Sequence, residues 1–394
     1  MIYSKKLGGE KMEVRILATS NNEQHMNKDN FNTFSGKIAG ICYSEDGYAR
    51  LENEPKKRTE RRIQMTKGNG HHSVYEHEYI TLYLENVPKL FAMLLNNEKV
   101  YVTSEKSARY TRMQGEGIEQ ELYDKWLGIF QNEIKNKYGH IDYFDDNRIT
   151  KLAQENARYF LSIYNPTTCM AHTLSYRQLN YIYGWMTNIN EKSPKLIQKL
   201  KPYADEFCQK LEELNLIDCD LQHDGKGRGF SLITDKDREE YFGDVYCTTY
   251  EGTWAQYAQN QRSRTLILEA KVIEPPRFYV PKIIQNNPTL TKEYLADMEK
   301  VKDNHPQGEL IHIIERGTPE NLVLKSQERL CTCAQHEIME QTSKTINKYI
   351  NNTKSEDIKQ YLQQYNKGAR CTFPGYKCSK PCGFKEGINL TREI

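Results

Sequence analysis

Residues 70–110 read GHHSVYEHEYITLYLENVPKLFAMLLNNEKVYVTSEKSARY, and the order of patterns within them decides the fold. His71, Ser73, Glu76 and His77 crowd a turn behind Gly70. Residues 78–85 then alternate apolar and polar side chains, the period of a half-buried strand. From 87 to 95 the alternation gives way to a continuous apolar run, which reads as the start of a helix. The stretch closes on Glu105, Ser107 and Arg109, spaced two apart and followed by Tyr110. Glu105 and Arg109 at a spacing of four suit an ordinary surface ion pair.

Outward from this segment the chain predicts a short strand at 14–17, a polar stretch to 37 and a charged helix at 56–65. Helices follow at 118–138 and 149–162, the latter stopped by Pro166, then a strand near 167–175 and helices at 176–186 and 194–214. Residues 218–240, with DGKGRGF, read as a linker. The second half repeats the order: strand 245–252, helix 253–261, a basic Arg262-Ser263-Arg264, helix 292–301, strand 309–314, helix 319–329 and long helix 334–350. An internal repeat of strand, helix, basic motif and long helix changes the division into domains.

Composition narrows the class. The 394 residues hold 55 basic and 53 acidic side chains, a net charge of +2, with no basic block of the kind a general nucleic-acid binder carries. No apolar run reaches the roughly 20 residues that span a bilayer, and no hydrophobic signal core precedes residue 20. A cytoplasmic location is therefore expected, where the ten cysteines are reduced, buried or metal-bound rather than paired. Tyrosine outnumbers phenylalanine 27 to 12, which we attribute to composition rather than to a special aromatic site.

The HxSxxEH turn, the strand, the helix and the ExSxRY loop, in that order, resemble the flavin-dependent thymidylate synthases (ThyX). The resemblance covers roughly residues 38–215 once and 245–352 a second time. Where the family has Arg-His-Arg, the first copy has Asn97, Glu98 and Lys99; the second has Gln259-x-x-Arg262-Ser263-Arg264. The run from Arg329 through Gln335 to Glu337 resembles the family's LRxxxHAQxEIR element, which the first copy keeps only as a faint ADEF at 204–207. Each copy lacks what the other retains. The resemblance thus implies an α+β fold of two ThyX-like repeats, each a small mixed or antiparallel sheet packed with long helices. Its parts are an N-terminal extension 1–37, repeats at 38–217 and 241–355, a linker 218–240 and a cysteine-containing tail 356–394.

The same resemblance implies a function. It points to C5 methylation of a pyrimidine deoxynucleotide, dUMP to dTMP, with FAD as cofactor and NADPH and methylenetetrahydrofolate as cosubstrates. His71, Ser73, His77, Arg177 and Gln259 fall on the flavin side. Glu105, Ser107, Arg109 and Arg158 fall on the substrate side, with Glu105 orienting an arginine. Arg262, Arg264 and Arg329 are the candidates for steadying charge on the pyrimidine ring, with Arg329 also touching substrate. Because the family assembles each site from several subunits of a tetramer, a fused chain implies a homodimer. The altered Asn97-Glu98-Lys99 and Ser263 keep two alternatives open: a different pyrimidine nucleotide as substrate, or a non-catalytic nucleotide-binding relative.

Cys371, Cys378 and Cys382, set among Pro and Gly, are candidate ligands of a structural zinc ion. Their x6 and x3 spacing lacks the usual CxxC knuckle, so an iron–sulfur cluster or a reduced, packed tail stands beside that reading. Few aromatic or basic residues accompany them, which speaks against a nucleic-acid knuckle.

Overall fold

The structure, a computed structural model, describes residues 11–20, 27–41, 44–45, 47–222, 229–379, 381–384 and 388–394. The chain divides into two compact units, Met1–Lys106 with Tyr164–Ser231, and Ser107–Ile163 with Leu232–Ile394. The fold is α+β, and each unit holds one four-stranded antiparallel sheet.

In the first unit the strands are β1 (Glu13–Thr19), β2 (Tyr79–Val87), β3 (Val102–Glu105) and β4 (Thr168–Ser175), in the order β1-β2-β4-β3. The alternation in β2 buries Ile80, Leu82 and Leu84, and it pairs with β4 from Tyr79 opposite Ser175. The next apolar run forms the helix Lys89–Leu95, in which Leu90 to Leu95 are all buried; with no polar face it can only be a core helix. Ser175 ends β4 and caps the helix Tyr176–Thr187 by accepting from the Gln178 amide.

The strand expected at 14–17 is β1, which pairs with β2, and the polar stretch after it holds the helix Lys28–Ile38, capped by Asn27, with Phe31 fully buried and stacked on Tyr176 at 4.7 Å. Likewise the long helix expected at 194–214 is two, Lys195–Gln198 and Lys201–Glu213. Pro202 lacks an amide proton, which suits the first turn of a new helix and interrupts a continuing one.

The second unit repeats the strand order with β5 (Tyr241–Phe242), β6 (Tyr246–Thr253), β7 (Ile267–Val272) and β8 (Leu310–Gly317), arranged β5-β6-β8-β7. The hand-offs match as well. Strand β6 runs through the Thr253 cap into Trp254–Asn260, and β8 through a Thr318 capping box into Pro319–Arg329. Thr318→Ala should cost about 1 kcal/mol. That corresponds to a melting temperature lower by roughly 2–4 °C, readable by calorimetry.

Helices Ile118–Tyr138 and Asp146–Ala157 lie in the first repeat by sequence but pack within the second unit. Trp126, Phe130 and Phe160 meet Tyr294 in one aromatic cluster, and the Trp126 indole donates to the buried Asp297 at 2.9 Å. The described ends of 218–240 are also packed rather than free: Leu232 is buried, Ile233 bridges to Ala270, and Arg238 forks onto Glu269 at 3.2 and 3.0 Å. Residues 223–228, with most of DGKGRGF, lie outside the described residues. Among the described residues no helix is long and apolar enough to cross a membrane.

Candidate functional site

The ExSxRY loop is divided between the units. Glu105 ends β3 in the first unit, where it accepts from Lys89 at 2.5 Å, Asn96 at 3.3 Å and Thr168 at 3.5 Å. It therefore holds a lysine and two neutral donors, and the expectation that it orients an arginine is corrected. The carboxylate that pairs with Arg109 is Glu155, from the helix Asp146–Ala157.

Ser107 opens the second unit and builds a tight turn. Its carbonyl accepts from the Tyr110 amide at 3.1 Å, the Thr111 amide at 3.0 Å and the Thr111 hydroxyl at 2.7 Å, while its own hydroxyl accepts from the Arg109 amide at 3.3 Å. Ala108 is buried and pins the turn to the core. Arg109 is thereby directed inward, where its Nε donates to Glu155 and its Nη2 to the carbonyl of Cys333. Burial opposes its charge, but Glu155 prevails and raises its pKa.

Beside it lies a polar network drawn from both sequence repeats. Arg158, buried at the end of its helix, donates Nη2 to the Gln335 side-chain oxygen, which also accepts from the Gln259 amide. The Gln335 nitrogen donates to the Tyr159 hydroxyl and to Glu337 at 3.2 Å. An amide that accepts twice on one side and donates twice on the other is fixed in orientation. Arg329 donates Nη2 to the Gln259 carbonyl at 3.1 Å. Glu337 accepts from the Thr253 amide at 2.7 Å, the Thr253 hydroxyl at 2.9 Å and Tyr159 at 3.0 Å, yet burial pushes its carboxyl up to about 7.

Among the described residues Arg158 Nε and Arg329 Nε are buried without a hydrogen-bond partner, as is the Gln259 side-chain oxygen. Burial, aided by the charges of Arg109 and Arg262, lowers the Arg329 pKa, and burial lowers that of Arg158. Guanidiniums that repel one another and keep unmatched N–H groups are suited to an anion. Arg262 and Arg264 are exposed on the loop after Trp254–Asn260, with buried Ser263 between them.

A cavity of about 240 Å³ opens next to Arg109, lined among others by Tyr110, Arg148, Lys151, Cys333 and Arg392. That is below the roughly 300–1,000 Å³ usual for a whole small molecule. Arg148 lies 3.6 Å over the Tyr143 ring. Arg392 is buried and ties down the turn after Arg329: it donates to the carbonyls of Thr332 at 3.0 Å, Cys331 at 3.3 Å and Ala334 at 2.5 Å. Arg392→Met should release those carbonyls and cost at least about 2 kcal/mol. A lower urea midpoint and faster amide exchange over 331–336 would register it.

In the first unit, His71, Ser73 and His77 are exposed around the short helix His72–Glu76. His72, not singled out in the sequence, is the buried one, 2.9 Å from the Tyr181 hydroxyl. Arg177 is half-buried, donating Nη1 to Glu76 at 2.9 Å and Nε to Tyr181 at 3.1 Å. Gln259, expected with this group, sits instead in the arginine network of the second unit. The loop Asn97-Glu98-Lys99 has a structural use: buried Glu98 accepts from the Ser231 amide at 2.7 Å and hydroxyl at 2.9 Å.

The cysteine tail does not supply the expected ligand set. Among the described residues no three metal-ligating side chains are gathered, and Cys371 and Cys378 are exposed with Cys382 half-buried. Instead the tail packs by its apolar residues, Phe373 and Phe384 being buried.

Comparison with known proteins agrees with the ThyX resemblance. Residues 25–188 match the family described as thymidylate synthase complementing protein. No curated protein matches the chain. Among solved structures the chain is similar to the UMP/dUMP methylase PolB from Streptomyces cacaoi bound with 5-Br dUMP, at 13% identity and a TM-score of 0.35, covering 54% of this chain and 93% of that one. It is similar also to Thymidylate Synthase X from Helicobacter pylori with FAD and dUMP, at 16% identity and a TM-score of 0.30, covering 52% and 99%.

Proposed function

We propose that this chain is a flavin-dependent enzyme that methylates C5 of a pyrimidine nucleotide, with dUMP as the first substrate to test. The observation that carries the reading is the convergence of Arg109, Arg158, Gln259, Arg329 and Gln335 around unmatched buried N–H groups. The family match over residues 25–188 supports it. Arg109, Arg158 and the Ser107 turn would bind the nucleotide phosphate. Arg329, with Arg262 and Arg264 on the neighbouring loop, would steady negative charge on the pyrimidine oxygen, as fixed cations do without reacting themselves.

The donors in the first unit fit a flavin nucleotide. Two exposed imidazoles, a hydroxyl and an Arg177 already oriented by Glu76 and Tyr181 offer the hydrogen bonds its phosphates and ring edge require. Bound flavin would supply the redox chemistry between NADPH and the one-carbon unit of methylenetetrahydrofolate. A homodimer of the two-repeat chain goes with this reading; the shared strand order of the two sheets supports a duplicated origin.

A second nucleotide is favoured by one observation. Glu98 stands where the family has a histidine between two arginines and is committed to Ser231, so the first-repeat loop offers no cationic trio to a substrate. UMP and dCMP therefore belong in the same assay. The test is to purify the chain, read its visible spectrum, and measure binding of dUMP, UMP and dCMP by calorimetry, then NADPH-dependent turnover. Flavin absorbance with turnover of one nucleotide supports the proposal. Tight nucleotide binding without turnover would make it a binding relative, and colourless protein that takes up no flavin sinks it.

A further inference from the structure

The cavity beside Arg109 holds more positive charge than the site described above uses. On the helix Asp146–Ala157, Arg148, Lys151 and Glu155 follow one another at spacings of three and four, so they share a face, and all three line the cavity. Because Glu155 pairs with Arg109, the cationic wall continues from Arg109 through Lys151 to Arg148. Arg148 and Lys151 are half-buried. Among the described residues neither the Arg148 guanidinium nor the Lys151 ammonium has a hydrogen-bond or ion-pair partner. The two carboxylates of the wall are engaged elsewhere: Glu155 with Arg109, and Asp145 with the Arg148 amide, which it caps at 2.7 Å. Arg392, the remaining cation of the wall, has its donors on backbone carbonyls.

Half-buried cations without counterions favour an anionic ligand, and the wall restricts its kind. Both tyrosine rings of the wall already carry a guanidinium, Arg148 at 3.6 Å over Tyr143 and Arg109 at 5.4 Å over Tyr110. The wall therefore offers charge rather than a bare aromatic platform for a base. A stacked guanidinium uses its face and keeps its edge donors for a forked contact to oxygen. Arg109 likewise keeps Nη1 after Nε has gone to Glu155 and Nη2 to the Cys333 carbonyl. The volume of about 240 Å³ suits a compact group.

We propose that Arg148 and Lys151 form an oligophosphate subsite beyond Arg109, which takes the second and third phosphates of a pyrimidine nucleoside di- or triphosphate. A monophosphate held at Arg109 leaves both cations unmatched, and each phosphate added to it supplies a counterion. This preference rests on the nucleotide-site reading above, in which Arg109 holds the first phosphate; the pair of unmatched cations does not. Free pyrophosphate offers the same chemistry, and the two sources are separated by experiment.

Calorimetry on the full chain, at low salt with EDTA so that each phosphate is metal-free, compares dUMP, dUDP, dUTP and inorganic pyrophosphate. The di- and triphosphate should bind at least about tenfold more tightly than dUMP, the yield of one charge-assisted contact. Added salt should shrink that advantage. Arg148→Gln combined with Lys151→Gln should bring dUDP and dUTP to the affinity of dUMP and leave dUMP itself unchanged. Neither side chain has a partner to lose, so this double variant should melt no lower than the parent chain, which checks that it folds. Equal binding of dUMP, dUDP and dUTP, or an advantage that survives the double variant, overturns the subsite, while dUMP binding with turnover keeps the functional reading. Pyrophosphate that adds to the dUMP-loaded chain, and is lost in the double variant, assigns the subsite to the free ion and overturns the nucleotide preference. Pyrophosphate held through Arg148 and Lys151 by a chain that takes up no pyrimidine nucleotide supports the subsite and sinks the functional reading. Binding of none of the four overturns both.

Discussion

Arg109→Ala is expected to weaken dUMP binding at least a hundredfold and to destabilise the second unit at the same time. The two effects have separate causes. Arg109 is nearly buried and its charge is matched by Glu155, whose side chain is only 6% exposed. Removing one partner of such a pair leaves the other buried and unmatched, which costs about 3–5 kcal/mol. Losing a charge-assisted contact to a nucleotide phosphate costs about 2–5 kcal/mol, and a hundredfold corresponds to about 2.7 kcal/mol. A single alanine variant mixes the two, because partial unfolding also abolishes binding. The double variant Arg109→Met with Glu155→Gln separates them, since it removes both charges and keeps the volume. Its urea midpoint should recover most of the single variant's loss, while calorimetry should still find dUMP binding absent. A double variant that folds and binds dUMP normally would remove Arg109 from the site.

Much of this could be read from the chain, for reasons that differ by element. The alternation in 78–85 and the apolar run after it each permit one placement, and β2 and helix Lys89–Leu95 follow them. The order of basic motif, strand and helix in the second half likewise appears in a second sheet of the same order. What the sequence could not disclose is which surface an amphipathic helix covers. Helices Ile118–Tyr138 and Asp146–Ala157 plainly have an apolar face, but that face is satisfied equally by either repeat; only the fit of Trp126 and Phe130 to Tyr294 selects the second unit. The helix Lys28–Ile38 escaped because it is polar apart from Phe31, Phe34 and Ile38; the structure supports it with the Asn27 cap and the stacking of Phe31 on Tyr176.

The site was legible where a motif existed and opaque where a single residue acts. Arg109, Arg158, Gln259 and Arg329 belong to recognisable runs, and the structure gathers them within one unit. Glu155 was within reach of inspection, as a carboxylate three residues before Arg158 on the same helix. Arg392 had no signal at all: an isolated arginine beyond a Gly-rich tail becomes informative only when three carbonyls converge on it. The cysteines suggest a shared ligand by their close spacing, but among the described residues no group of three metal-ligating side chains is gathered, and Cys371 and Cys378 are exposed.

The second large effect concerns a pair that no motif announces. Lys325 and Glu315 are both fully buried, 2.7 Å apart, and the same carboxylate accepts from Tyr246 and Tyr250 at 2.6 Å each. Burial works against the Glu315 charge, but Lys325 and the two hydroxyls together hold its carboxyl below the ordinary value. The stability this contributes is present above the unfolded carboxyl pKa of about 4.3 and is lost as pH falls through the lower folded value. Lys325→Met removes the cation and leaves the carboxylate in a dry core, for a cost of about 3–5 kcal/mol. The pH dependence should then reverse. With burial unopposed by the lysine, the Glu315 carboxyl rises above its unfolded value, so the variant loses stability as pH climbs from about 4.3 toward neutrality. Its melting deficit relative to the parent chain should therefore be smaller at pH 5 than at pH 8. Adding Glu315→Gln to Lys325→Met supplies a neutral acceptor for the tyrosines, and most of the deficit should vanish together with its pH dependence. A deficit equal at both pH values, or unchanged in the double variant, would mean that lost packing around the lysine stem, rather than the stranded charge, sets the cost.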